Sequence, residues 1–395
     1  MNMLLPYLLL LSFSFHSLQG ELAVNDWSSV VGSPYDGVSL SLIDCFSTEP
    51  MDHDRLLLDM KKFKKDTGKD GWPMVYINRM IGSRETSRSH PSQKPEQRAF
   101  FAAINGMDVH DRAGARTAFL GYWRTALMLS RETGTPGVIL DLEAYNDYQM
   151  YDIDSIASAQ RESPELVAAG LDSLGSDMAD IAAKERPDAV VWTLFTVLAE
   201  PDKSRKNGHS VAYIIKGFLD RCLEKGYRMK VVSGGEVWIN YCSESMDDLR
   251  GKIALRQTAY AGLLDRYRDN FALGGTVAPW FDSSERKGWA VKRCSDRQFR
   301  KLPDFVPYFQ ELKKNYDYVW IYAAWGCGYD PTKKADAARY NPVIASVFKP
   351  DWKPMVDPPA QKVELPVQKV ATTVQKAAPV AGTGKKKWPK TKKQR

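Results

Sequence analysis

The sequence predicts an α/β protein with the fold of a (β/α)8 TIM barrel, and three observations lead to that prediction. Eight short apolar runs, rich in β-branched and aromatic residues, alternate with amphipathic segments between residues 21 and 350. Several of those segments have a helical period with helix-start and helix-stop residues. The chain is 44% hydrophobic, enough to bury a large core. Such alternation is typical of βα units around a parallel sheet, and eight units close a barrel.

The predicted strands lie at residues 37–46, 73–80, 99–107, 137–143, 189–198, 230–238, 271–281 and 318–325. The third is ambiguous, because PEQRAFFAAI, residues 95–104, could equally form a helix. Residues 81–98, just before it, are too polar for an ordinary crossover helix. If this strand is absent, an open doubly wound sheet is the alternative.

Three helices have clear signals. The first is predicted from Ser163 and Pro164, an N-cap and first-turn pair. Its apolar face repeats at alternating spacings of four and three residues, at Val167, Leu171, Leu174, Met178 and Ile181. A second helix is predicted to open at Ser210 and to stop at Gly226. The third has its apolar face, before Gly134, at Leu120, Trp123 and Leu127.

The N-terminal end of the chain has a different composition from the barrel region. Residues 1–20 contain an apolar stretch, Met3 to Phe15, that ends in small and polar residues, which is the pattern of a signal peptide. A retained membrane anchor is the alternative. No later stretch approaches the ~20 apolar residues of a membrane span. We therefore expect a single barrel domain over residues 21–350 that is soluble and either secreted or periplasmic.

Residues 351–395 form a Lys-, Pro- and Ala-rich tail without helical or strand period, and we expect it to be disordered. The tail has eleven Lys and Arg against three Asp and Glu, net +8, whereas the whole chain carries +7. The other 350 residues therefore carry −1, and the basic character belongs to the tail. A basic tail can contact an anionic polymer, but nothing in the barrel region predicts specific nucleic-acid binding.

The histidines, cysteines and glycines argue against several reaction classes. The five histidines form no HxH or HExxH motif, and the five cysteines form no CxxC pair. GxSxG and Walker-type loops are also absent. A metallohydrolase, a serine hydrolase and a P-loop nucleotide site therefore have no support, and we expect neither a metal nor a cofactor.

The segment PGVILDLEAYN, residues 136–146, is the most informative one. Side chains alternate along a strand, so Ile139, Asp141 and Glu143 share one face. A carboxylate on the inner face of a strand is costly to bury alone. We therefore expect it either to pair with a cation or to belong to a functional site. Neighbouring like charges raise the proton affinity of one acid, so Glu143 is predicted to be the protonated acid and Asp141 its ionised partner. A structural network with Arg79 is the alternative.

The same segment resembles the fourth-strand motif DGxDxDxE of family 18 glycoside hydrolases, which are chitinase-like (β/α)8 enzymes. Gly137, Asp141 and Glu143 match this motif, while Pro136 and Ile139 replace its first two acids. In that family the Glu is the acid/base and the Asp orients a substrate N-acetyl group, which implies these roles for Glu143 and Asp141. Residues 230–238 lack the Met-x-Tyr-Asp pattern of the family. More broadly, residues 44–325 resemble uncharacterised secreted bacterial barrels regarded as glycosidases.

A second carboxylate is needed if the substrate does not supply its own nucleophile. Acids that end predicted strands are the candidates, namely Asp44, Asp108, Glu236 and Asp282. The resemblance to the large clan A glycosidases, which place their nucleophile after the seventh strand, favours Asp282. That clan carries Asn-Glu after strand four, whereas Leu142 precedes Glu143 here, so all four acids stay open.

Aromatic and polar residues crowd the same strand ends and favour a carbohydrate site. Sugar rings stack on aromatic side chains, and their hydroxyls need polar partners. The substrate-binding candidates are Asp44, Arg79, Asp108, Tyr145, Asn146, Trp238, Trp280 and Trp325, whereas Trp192 and Trp320, inside strands, are interpreted as packing residues. The sequence therefore predicts a secreted glycoside hydrolase acting on a poly- or oligosaccharide. A non-catalytic carbohydrate-binding barrel and a non-glycosidic barrel enzyme such as a lyase are the alternatives.

Overall fold

The computed structural model describes residues 8–13, 27–41, 52–76, 115–142, 152–194, 198, 209–239, 243–279, 301–323, 329–331 and 333–353. Eight parallel strands in chain order form a closed barrel. They are β1 (Leu8–Phe13), β2 (Gly37–Ser41), β3 (Asp70–Tyr76), β4 (Gly137–Asp141), β5 (Val190–Thr193), β6 (Lys230–Ser233), β7 (Phe271–Val277) and β8 (Tyr318–Ala323). The predicted (β/α)8 fold is confirmed, and the open sheet is wrong.

Helices alternate with these strands. They are α1 (Ser28–Val31), α2 (His53–Thr67), α3 (Ala115–Thr133), α4 (Ile153–Gln160), α5 (Pro164–Glu185), α6 (Ser210–Lys225), α7 (Glu236–Ile239), α8 (Met246–Arg266), α9 (Val306–Asn315) and α10 (Lys334–Phe348), with a 3-10 turn at Leu302–Phe305 before α9. Of the helices described, none combines the length and the apolar character that crossing a membrane requires.

The identity of the eight strands differs from the prediction at one position. Residues 99–107, predicted as the third strand, lie outside the described residues, and β3 pairs directly with β4 from Met74↔Ile139 onward. Among the described residues, no strand lies between β3 and β4 in the barrel, and the assignment of residues 99–107 stays a prediction. The additional strand is β1, inside the segment predicted as a signal peptide. It pairs with β8 over six residues and with β2 over two. A short apolar run suits both a buried strand and a leader, and periodicity does not separate them.

Helix ends follow the sequence signals closely. The hydroxyl of Ser163 accepts a hydrogen bond from the backbone N–H of Leu166 at 3.3 Å, and α5 begins at Pro164. Its predicted face is buried except at Ile181, which is half-buried. Helix α6 begins at Ser210 as predicted, but the capping side chain is that of His209. On α3, Trp123 and Leu127 are buried, while Leu120 is half-buried.

Strand register shows which side chains fill the barrel. Met74, Ile139, Trp192, Val232 and Ala272 lie at one level on five successive strands. This row faces inward, because the rings of Trp72 and Trp192 meet across β4 at 6.1 Å. Side chains alternate along a strand, so residues two positions further on face inward too. Asp141 is such a residue on β4, as predicted.

Candidate functional site

The candidate site lies at the carboxyl ends of the strands, where the βα loops of a (β/α)8 barrel begin. Asp141 is the last residue of β4, and the residue is 6% exposed. The alternate residues Val138 and Leu140 are buried on the outer face of the strand and leave the inner face to Ile139 and Asp141. Apolar side chains therefore cover the outer face of β4, and the acid lies on its inner face.

The chain turns sharply after β6, through residues 233–236, which we name the β6 exit turn. Gly235 has φ +89°, a left-handed conformation that a side chain would strain. The backbone N–H of Gly234 donates to the Thr193 carbonyl at 2.7 Å, which extends the β5–β6 ladder by one bond. Glu236, half-buried, begins the short helix α7 directly after the turn. The strand predicted over residues 230–238 is therefore shorter than expected, because it ends at Ser233.

Two side chains hold the β6 exit turn from opposite sides of the barrel wall. Trp320 faces inward from β8, and its indole N–H donates to the Gly234 carbonyl at 2.8 Å. Arg256, on the outer layer helix α8, is 0% exposed. Its guanidinium donates to the Ser233 carbonyl at 2.7 Å, to the Ser233 hydroxyl at 2.9 Å and to the Gly274 carbonyl. We call this pair the Arg256–Trp320 clamp.

Aromatic rings complete the surroundings of Arg256. Its guanidinium carbon lies 5.5 Å from the ring centre of Tyr316 and 5.9 Å from that of Tyr260, within the range of cation–π contacts. Burial raises the pKa of the Tyr316 hydroxyl, and the charge of Arg256 acts in the opposite direction. The charge of Arg256 therefore lies against the carbonyl dipoles of Ser233 and Gly274 and the ring faces of Tyr260 and Tyr316.

Thr276 is a further polar residue on the inner wall. It lies on β7 in register with Trp320 of β8, and both side chains face inward. Thr276 is fully buried, and its hydroxyl has no hydrogen-bond partner among the described residues. A buried hydroxyl normally has a partner, so Thr276 is a polar group available to a bound water or ligand.

Most of the predicted site residues cannot be placed. Those outside the described residues are Glu143, Asp282, Asp44, Arg79, Asp108, Tyr145, Asn146, Trp280 and Trp325. Their roles stay predictions, as does the alternative ion pair with Arg79. The backbone of Trp238 lies in α7. Asp141 and Glu236 are the two predicted acids with described positions, and both lie at the same end of the barrel. Trp192 and Trp320 are fully buried.

The sequence reasoning did not find Arg256 and Thr276. A signal for Arg256 is present, because the buried face of α8 runs through Leu249, Ile253, Arg256 and Tyr260. An arginine at a core position of an amphipathic helix is rare unless it is paired. Thr276 gives no such signal, since threonine is common in strands. In the described ranges, no group of three or more His, Cys, Asp or Glu residues is arranged to hold a metal ion.

Comparisons with known proteins give structural similarity at low identity. No protein-family model and no curated protein sequence matches this chain. A GH5-4 broad specificity endoglucanase from an uncultured bacterium is 11% identical, with 86% of this chain and 94% of that chain covered and a TM-score of 0.47. A Bacteroidetes-affiliated GH5 cellulase linked with a polysaccharide utilization locus is 8% identical, with 88% and 94% covered and a TM-score of 0.49.

A 3-keto-D-glucoside 4-epimerase from E. coli is also similar, at 13% identity, with 86% of this chain and 98% of that chain covered and a TM-score of 0.39. The matched structures thus include hydrolases and an epimerase. Sequence identities and TM-scores this low do not support assigning the activity of any of them to this chain. The function must be argued from the site itself.

Proposed function

We propose that this protein is a secreted glycoside hydrolase that cleaves O-glycosidic bonds in a poly- or oligosaccharide by carboxylate general acid/base catalysis. The observation that carries the proposal is Asp141, a carboxylate on the inner face of β4 at the end where (β/α)8 enzymes bind substrate. Glycoside hydrolysis needs carboxyl groups that converge on one bond.

The roles follow from the order of the two acids along the chain. Glu143 comes two residues after Asp141 in the sequence. In this proposal Glu143 is the general acid, which donates its proton to the leaving-group oxygen, and a neighbouring ionised carboxylate would help it to keep that proton. Asp141 orients Glu143 or the substrate. Aromatic residues and an asparagine that follow strands in the sequence would stack on sugar rings and bind hydroxyls; they are Tyr145, Asn146, Trp238, Trp280 and Trp325.

Export is a separate part of the proposal. Removal of residues 1–20 would also remove β1, so the ring would have to be held by contacts between β8 and β2. Within the part of the chain that the structure describes, three contacts join these sides without β1. Lys349 pairs with Asp36 at 2.8 Å, the Trp352 indole donates to the Gly32 carbonyl at 2.6 Å, and the hydroxyls of Tyr35 and Tyr329 lie 2.6 Å apart. The N-terminal sequence of the protein recovered outside the cytoplasm tests this part.

The test of the activity is product analysis on a panel of polysaccharides and oligosaccharides. We expect Glu143→Gln and Asp141→Asn each to lower turnover by about 10²- to 10⁴-fold while oligosaccharide binding persists. Asp70→Asn is the matched control, because Asp70 is a strand carboxylate at the opposite end of the barrel, paired with Lys64 at 2.9 Å. If the wild-type protein binds but cleaves none of the glycans, it is a carbohydrate-binding barrel; if unsaturated products appear, it is a lyase.

A further inference from the structure

We infer that Thr276 is a substrate-binding residue, whose hydroxyl binds one hydroxyl group of the sugar that contacts Asp141. The inference rests on the proposed glycoside hydrolase function and deepens it, because it names a residue of β7 that recognises the sugar. Three observations on Thr276 carry it. The side chain faces the barrel interior, the residue is 1% exposed, and its hydroxyl has no hydrogen-bond partner among the residues that the structure describes.

Strand register places Thr276 one layer below Asp141. In a barrel of eight tilted strands, side chains from alternate strands form level layers, and a layer advances by two residues on every second strand. The ladders from β3 to β7 thus put Met74, Leu194 and Thr276 in one layer. Leu194 continues the ladder of β5, because its N–H donates to the Leu140 carbonyl at 3.3 Å. In the next layer toward the carboxyl ends, the inward residue of β4 is Asp141.

The described part of this layer is mostly apolar. Met74 and Leu194 are buried, and of the three side chains Thr276 has the one polar group. A ligand that reaches down from Asp141 therefore meets apolar side chains and a hydroxyl. Small-molecule sites commonly have this character, because apolar walls bury the ligand while a few polar groups fix its orientation. A sugar ring has both the CH faces and the hydroxyl groups that such a surface binds.

The indole ring of Trp320 lies beneath Thr276. Trp320 is on β8, and its N–H donates to the Gly234 carbonyl after β6 at 2.8 Å. The ring therefore crosses the inner face of β7, one layer below Thr276. An indole has a single N–H donor and no acceptor, and here that donor is already used. Trp320 therefore supplies no conventional hydrogen bond to the Thr276 hydroxyl, which is left to a group on the side of the barrel mouth.

Two other groups on the inner face of the described strands lack a partner, namely the indole N–H groups of Trp72 and Trp192. Both residues lie deeper in the barrel than Thr276. A Cβ on Gly37, the first residue of β2, would lie 2.7 Å from Nε1 of Trp72, so that N–H points toward the amino end of the barrel. Of these three groups, the Thr276 hydroxyl is the one next to the layer of Asp141.

The test compares Thr276→Val with Thr193→Val in the full-length protein. Both changes remove a buried hydroxyl and keep the shape of the side chain, but the Thr193 hydroxyl donates to the Val232 carbonyl at 3.1 Å. We expect Thr276→Val to weaken oligosaccharide binding by at least ~5-fold, because a sugar hydroxyl loses its partner. The urea midpoint of the free protein should stay unchanged or rise. Thr193→Val should lower that midpoint and leave the affinity unchanged, and Thr276→Ser should retain the wild-type affinity.

The probes are cellotetraose, xylotetraose, mannotetraose and chitotetraose, with affinities measured by isothermal titration calorimetry. The tetrasaccharide that the wild type binds most tightly is then replaced by its monodeoxy analogues, each of which lacks one hydroxyl. We expect one analogue to bind equally to the wild type and to Thr276→Val, because it lacks the hydroxyl that Thr276 contacts. If every analogue preserves the difference in affinity, that difference comes from packing, and the inference is wrong.

The outcomes separate the inference from the proposed function. Cleavage by the wild type together with unchanged affinity in Thr276→Val overturns the inference and leaves the hydrolase standing. A fall in the urea midpoint of Thr276→Val as large as that of Thr193→Val shows that the hydroxyl is already paired, and it overturns the inference too. Binding that depends on Thr276 without cleavage of any glycan supports the inference and refutes the hydrolase. If the wild type binds none of the probes, both fail.

Discussion

Arg221 and Arg256 each join a helix to its neighbours, but they do so in opposite surroundings. Arg221, on α6, makes a bidentate ion pair with Asp180 of α5, in which each of the two hydrogen bonds is 2.8 Å long. The side chain of Arg221 is 26% exposed. Arg256, on α8, is fully buried and donates to the carbonyls of Ser233 and Gly274 and to the Ser233 hydroxyl. The first pair lies in water on the helix layer, and the second fixes the turn that leads to Glu236.

The α5–α6 contact and the β6 exit turn are therefore held together by different interactions. An exposed ion pair contributes ~0–1 kcal/mol, because water screens it and ordering two long side chains costs entropy. The α5–α6 contact is close for another reason: a Cβ on Gly175 would lie 2.0 Å from the Ile214 carbonyl oxygen, and one on Gly217 would lie 2.1 Å from that of Asp172. Backbone proximity at two glycines sets that contact. At the β6 exit turn, hydrogen bonds from a buried charge set the geometry.

The largest effect is expected from Arg256→Met. The change leaves the carbonyls of Ser233 and Gly274 buried without this donor, and each unsatisfied group costs ~1–3 kcal/mol. We expect the free energy of unfolding to fall by ~2–5 kcal/mol, measured by urea denaturation. Arg266→Met is the control on the same helix, where the guanidinium contacts Asp220 and is half exposed. A loss below ~1 kcal/mol would show that the turn keeps its geometry without the arginine.

A smaller effect is expected from Gly217→Ala. The added methyl group cannot fit 2.1 Å from a backbone oxygen, so α5 and α6 must separate. Overpacking of this kind costs about 1–3 kcal/mol. Gly262→Ala on α8 is the matched control, because nothing lies within 4 Å of its Cβ position. There alanine should stabilise the helix by about 0.5–1 kcal/mol. Equal effects at the two glycines, measured by thermal unfolding, would contradict the argument from backbone proximity.

The sequence predicts the barrel and the inward direction of Asp141, but it does not predict the Arg256–Trp320 clamp. Alternating apolar and amphipathic segments predict the barrel, and period-two alternation correctly directs Asp141 inward and Leu140 outward. It does not decide which eight runs are the strands, since LLLLSF has the composition of both a leader and a strand. The clamp was also missed, because the acceptors of Arg256 are backbone carbonyls, and carbonyl positions have no side-chain signature.

The smallest effect is expected from Asp180→Asn, which removes the ion pair of α5 and α6 and keeps the shape. The hydrogen bonds from Arg221 hold the pKa of the Asp180 carboxyl below its usual range, while partial burial acts in the opposite direction. Its stabilisation is therefore present above the usual aspartate pKa near 4 and is lost as the pH falls through the lower folded-state pKa. We expect a difference of at most ~1 kcal/mol at pH 7, smaller in high salt, and none in acid. Urea denaturation of the wild type and of Asp180→Asn, at pH 7 and in acid, checks this. A difference in the free energy of unfolding that does not change with pH would show that the effect comes from packing of the side chain.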